Sequence, residues 1–131
     1  MNRRDFIAGA ATGVGAMSVM ATETVTAAAE PTMSLNVVYP NHEGARFDMA
    51  YYRSSHIPLV MKVTKAKSAL LIEGVPGANG AAAPFVMIVH FEFASADAMK
   101  AGLADPAMAD VRADVAKFTD IKPTVMFGKS S

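Results

Sequence analysis

The 131-residue chain contains no cysteine and no tryptophan, and its 12 basic and 12 acidic side chains cancel. Without cysteine there is no thiol nucleophile, no thiolate zinc site, no iron–sulfur cluster and no disulfide. A formal charge of zero removes the basic excess that an electrostatic nucleic-acid surface needs. Long apolar runs are also missing. The nearest case, close to the amino terminus, is diluted by Gly and Thr and falls short of the ~18–20 residues of a membrane span. Histidine is sparse, and His42, His56 and His90 include no pair at the short H-x-x-x-H spacing of a helical metal site. The glycine-rich stretch 74–80 lacks both phosphate-loop patterns, and no G-x-S-x-G elbow is present. What remains is ample core material. The chain is 52% hydrophobic and carries ten methionines, whose flexible thioethers suit irregular core gaps.

Residues 1–29 differ from the rest. Asn2-Arg3-Arg4-Asp5-Phe6-Ile7 leads into an Ala/Gly/Val/Met run ending at Met20, and Ala27-Ala28-Ala29 stands before Glu30-Pro31. A charged start, a short apolar middle and small residues at a cleavage point describe an export signal. The arginine pair followed by Asp and Phe-Ile resembles the twin-arginine signal of bacteria. The expectation is cleavage after Ala29 and a mature domain over 30–131. That domain would be periplasmic or otherwise exported, with no membrane segment once the signal is removed.

Within 30–131, Leu35–Tyr39 is a β-branched and aromatic run closed by Pro40, which predicts a strand. Asp48 is a suitable N-cap for a helix over the stretch from Phe47 to Thr64. Pro58 predicts a break near Ser55 or His56, because it lacks an N–H and disfavours helical dihedrals at Ile57. Ser68–Glu73 reads as a second strand and residues 74–84 as a loop. Phe85–Phe93 is the clearest strand. Phe85, Met87, Val89, Phe91 and Phe93 share one face, while Val86, Ile88, His90 and Glu92 share the other. Ser95 caps the next helix and Asp105-Pro106 restarts one. Met108, Val111 and Val115 then recur at helical spacing, and Thr124–Phe127 is a last strand. The order βαββαβ predicts an α+β, ferredoxin-like split βαβ: a four-stranded antiparallel sheet with helices on one face. Helices on one side would leave a half-apolar sheet face in water, so a homodimer paired through that face is expected.

His56 is the first candidate for chemistry. Its ordinary pKa lies near neutrality, and Tyr52 four residues earlier shares its helix face. The bland alternative is a histidine capping carbonyls near Pro58. His90, with Glu92 two residues on, is the second candidate, as base or ligand. Tyr39 at its strand end could present a phenol, and Asp120 after Thr119 suits a turn or a ligand contact. Arg53 is expected to pair with a surface acid and His42 to be solvated. Haem ligation through His56 or His90 stays open, since one axial histidine needs no motif.

Taken together, Val38-Tyr-Pro-Asn41, Gly44-Ala-Arg-Phe-Asp48, Tyr51-Tyr-Arg53, His56-Ile-Pro-Leu59, the His90 strand and Phe118-Thr-Asp-Ile121 resemble the EthD family, named for ether degradation. The resemblance implies a dimeric α+β barrel, a ligand cavity between sheet and helices, and association with oxidoreductase systems. His56, Tyr52 and His90 are the expected catalytic residues; Tyr39, Tyr51, Phe91 and Asp120 are the expected ligand contacts. Neither a metal nor a resident cofactor is expected. The leading expectation is oxidative or proton-transfer chemistry on a small apolar organic compound. The competing one is a non-catalytic binding or accessory protein serving a redox partner.

Overall fold

The computed structural model describes residues 31–130, so the twin-arginine signal expected over 1–29 lies outside the described residues. The elements run β1 (Met33–Pro40), α1 (Met49–Tyr51), a π-helical turn (Tyr52–His56), α2 (Ile57–Thr64), β2 (Ser68–Glu73), β3 (Phe85–Phe93), α3 (Ala96–Leu103), α4 (Met108–Asp114), a 3-10 turn (Val115–Lys117) and β4 (Thr124–Lys129). All strand pairs are antiparallel, in the order β2-β3-β1-β4. This is the ferredoxin-like arrangement.

The barrel in the expected fold is overturned. β2 and β4 are the two edges of the sheet and share no ladder, so the sheet stays open. Closure requires tilted, staggered strands that bring the edges together, and small closed barrels take about eight. Four twisted strands carry their edges apart instead.

Side-chain alternation decides which face is core. On β3, Met87, Val89, Phe91 and Phe93 are buried, while Val86, Ile88, His90 and Glu92 face the opposite side. α3 packs over β1 and β3, and α2 reaches β2. Ser95 starts α3 by accepting the Ala98 N–H at 3.1 Å, the usual service of an N-cap hydroxyl. Gly102 in α3 lies directly against the Thr64 carbonyl at the end of α2, where a Cβ would collide with backbone. No described helix covers β4 to the same extent. Val125 and Phe127 therefore stay 51% and 60% exposed, although they project to the helix side.

The helical stretch differs from its expectation at Pro58. It does not break; it widens. The Ile57 N–H reaches back five residues to the Tyr52 carbonyl, and α2 follows with Pro58 in its first turn. A proline has no N–H for the carbonyl four residues earlier and crowds it with its ring. A π turn shifts those carbonyls out of α register, and such turns recur at functional sites. Tyr52 and His56 are the two ends of this turn, and both are buried.

Candidate functional site

His56 is oriented from three sides. Its ring stacks on Tyr52 with centroids 5.6 Å apart and lies 4.5 Å from the Phe118 ring. Its Nδ1 is 2.9 Å from Asp114 Oδ2 on α4. Asp114 also accepts the Tyr51 hydroxyl at 2.7 Å through Oδ1, with Lys117 Nζ 3.7 Å from the same oxygen. Phe118 is held where it is by the backbone, since the Asp48 N–H donates to the Phe118 carbonyl at 2.7 Å and Phe47 bridges Thr119.

The charges follow from this geometry. Burial raises the Asp114 pKa, but the hydrogen bonds from His56 and Tyr51 and the nearby Lys117 outweigh it, and the carboxyl sits below its ordinary range. It is therefore ionised at neutral pH and can only accept hydrogen bonds. That places the His56 proton on Nδ1 and the free lone pair on Nε2. Burial also pulls the His56 pKa below its ordinary value, with Asp114 opposing the shift. Nε2 makes no hydrogen bond within the described residues and is not among their buried, unpartnered atoms. It therefore keeps an accessible surface.

His56 lines a cavity of about 310 Å³ between the helices and the inner sheet face, at the small end of ligand pockets. Leu35, Val37, Val89 and Phe91 floor it; Val60, Leu103, Met108 and Val111 roof it; Val125 and Phe127 stand at its open side. Tyr39 and Tyr52 also line it. Burial raises both phenols, Tyr39 to about 12 and Tyr52 further, so both stay protonated. The two hydroxyls influence each other's ionisation, yet no hydrogen bond of good geometry joins them. Among the described residues the Tyr52 hydroxyl is buried with no hydrogen-bond partner.

Of the expected site residues, His56, Tyr52, Tyr39 and Phe91 come together at this cavity. Tyr51 stands behind it and acts on Asp114. His90 does not join them. It projects from the outer sheet face, with Nδ1 2.7 Å from Asn36 Oδ1 and Nε2 4.0 Å from Glu92. The sheet itself separates the two histidines. Asp120 is exposed; it accepts the Arg46 N–H at 2.9 Å and lies 3.7 Å from His42. Arg53 pairs with Glu73 at 3.1 Å. Sequence reasoning missed Asp114 and Arg112. For Arg112 a signal existed, because it completes the helical stripe of Met108, Val111 and Val115. For Asp114 none did.

Residues 42–122 match the EthD domain. The described chain is 33% identical to an EthD-like protein from Ralstonia eutropha JMP134, with a TM-score of 0.69 over 76% of this chain and 91% of that one. The chain belongs to the EthD family. An ethyl tert-butyl ether degradation (EthD) family protein from Bacillus halodurans C-125 shares its fold at 17% identity and a TM-score of 0.61, over 76% of this chain and 99% of the other. A protein from Nitrosomonas europaea does so at 16% identity and 0.51, over 77% and 90%. No curated protein matches the chain. Within the EthD domain match lie both members of the His56–Asp114 pair. Among the described residues, no helix is long and apolar enough to cross a membrane.

Proposed function

We propose that this EthD protein binds a small apolar organic compound in the cavity and moves a proton on it with His56. The observation that carries the reading is the His56 ring, held at Nδ1 by ionised Asp114 with Nε2 accessible. A base of this kind removes a proton from carbon beside a carbonyl group. The C–H electron pair forms the C=C bond of an enolate, the carbonyl π pair moves onto oxygen, and Asp114 stabilises the imidazolium that forms. Tyr52 stacks on the His56 ring and fixes its plane. Of the two chemistries expected from the family resemblance, oxidative and proton-transfer, the pair supports proton transfer.

The test is exchange of carbon-bound protons of small apolar ketones into D2O, followed by NMR. Wild type is expected to catalyse exchange, and His56→Ala to bind the same ketones without it. Binding without exchange in wild type would favour a binding or accessory protein serving a redox partner.

A second copy of the chain as partner belongs to the same proposal. Leu70, Ile72 and Met126 on the outer face are 58%, 49% and 60% exposed, alongside Val38, Val86 and Ile88. Such an apolar patch supports self-association. Leu70→Lys is expected to shift sedimentation toward monomer, and a wild type that is monomeric at micromolar concentration defeats the idea. Export through the segment 1–29 is likewise proposed from the sequence. Mass spectrometry of the secreted protein tests it, since a retained Arg3-Arg4 terminus is incompatible with cleavage.

A further inference from the structure

We infer that the ligand of this cavity is an apolar carboxylic acid, bound as the carboxylate with its acid group at Arg112. The inference rests on the reading of the cavity as the ligand site and adds the chemical class. Met108, Val111, Arg112 and Val115 stand at i, i+3, i+4 and i+7, one stripe of the helical segment, and all four line the cavity. Three are apolar, as a core-facing stripe should be. The fourth is a cation that never loses its charge.

Arg112 makes no hydrogen bond and no ion pair through its guanidinium among the described residues. Asp114, two residues on, is already occupied by His56, Tyr51 and Lys117. Arg53, by contrast, has found its carboxylate in Glu73. Arg112 is exposed while lining the cavity, so it stands at the opening. Its planar fork of donors matches a carboxylate with two parallel hydrogen bonds. The interior behind it offers apolar walls to a hydrocarbon body. A ligand with an apolar body and an anionic end satisfies both at once. A neutral hydrocarbon leaves the guanidinium without a role in binding.

The experiment compares octanoate with its neutral isostere octanamide by calorimetric titration of the full chain, in wild type, Arg112→Gln, Arg112→Lys and His56→Ala. Octanoate is expected to bind about tenfold or more tighter than octanamide, as a charge-assisted pair provides. Arg112→Gln is expected to erase that preference while leaving octanamide affinity unchanged, and Arg112→Lys to keep part of it. Equal binding of both probes, with Arg112→Gln indifferent, overturns the carboxylate inference and leaves the cavity reading intact. A preference that survives in Arg112→Gln and disappears in His56→Ala also overturns it, because the anion is then held by the histidine. If neither probe binds wild type, the cavity reading falls and this inference with it.

Discussion

His56 Nδ1 lies 2.9 Å from Asp114 Oδ2 although 58 residues separate them in the chain. Both residues are buried, at 4% and 6% exposure. The pair joins the end of the π turn to the end of α4. It also sets the chemistry of the histidine, because an acceptor-only carboxylate determines which ring nitrogen keeps the proton.

Asp114→Asn preserves the shape of the pair and removes its charge. Turnover is expected to fall by about a hundredfold or more, the usual weight of a positioned base. Asp114 raises the His56 pKa against burial, so the variant should move the acid limb of the kcat/KM profile to lower pH. In wild type that limb should lie below the ordinary histidine value of about 6.5. An acid limb that does not move in the variant means His56 is not the titrating base.

Stability should depend on pH with a definite sign. The folded-state pKa of His56 is depressed, so the unfolded chain binds more protons as the solution turns acidic. The stability associated with neutral His56 is fully present above about 6.5 and lost as pH falls through the folded value. Asp114, also depressed, adds a loss of the same sign below the ordinary carboxyl range. Urea melts between pH 7.5 and pH 5 measure the first part. His56→Gln should flatten that segment, and a slope equal to wild type would assign it elsewhere.

Tyr52→Phe should separate stability from function. The hydroxyl is buried without a partner among the described residues, a cost of about 1–3 kcal/mol for a polar group of this kind. Removing it is expected to raise the melting temperature. It should leave binding of ketone ligands near wild type, since the buried hydroxyl has no surface toward the cavity. A destabilised variant would mean the hydroxyl is satisfied in the folded protein.

Gly102→Ala tests the packing that frames the cavity. The new methyl meets the Thr64 carbonyl, and neither helix backbone can give way cheaply. Despite the better helix propensity of alanine, the substitution is expected to destabilise by about 1–3 kcal/mol. Thermal melts that match or exceed wild type would show that α3 and α2 are free to part.

Much of the architecture was legible because it is written in local patterns. The alternation Phe85–Phe93 placed Phe91 and His90 on opposite faces, and the structure keeps them there. A cavity floored by Phe91 therefore could not include His90 as expected, and the same alternation already contained that exclusion. The four-residue spacing of Tyr52 and His56 likewise survived, though through a π turn that no residue pattern announces. Pro58 predicted a disturbance in the right place. Whether helix breaks or widens there depends on what holds both sides, and here Phe118 and Asp114 hold His56 in place.

The sequence by itself determined the element order, the faces of the strands and the helix carrying His56, because these follow from periods of two and 3.6 residues. Only the tertiary structure decided that Asp114 would be the partner of His56. It alone decided that Arg112 would border the same cavity, and that the sheet would remain open with β4 uncovered. Those outcomes come from how separate elements pack, and no local period encodes a contact across 58 residues.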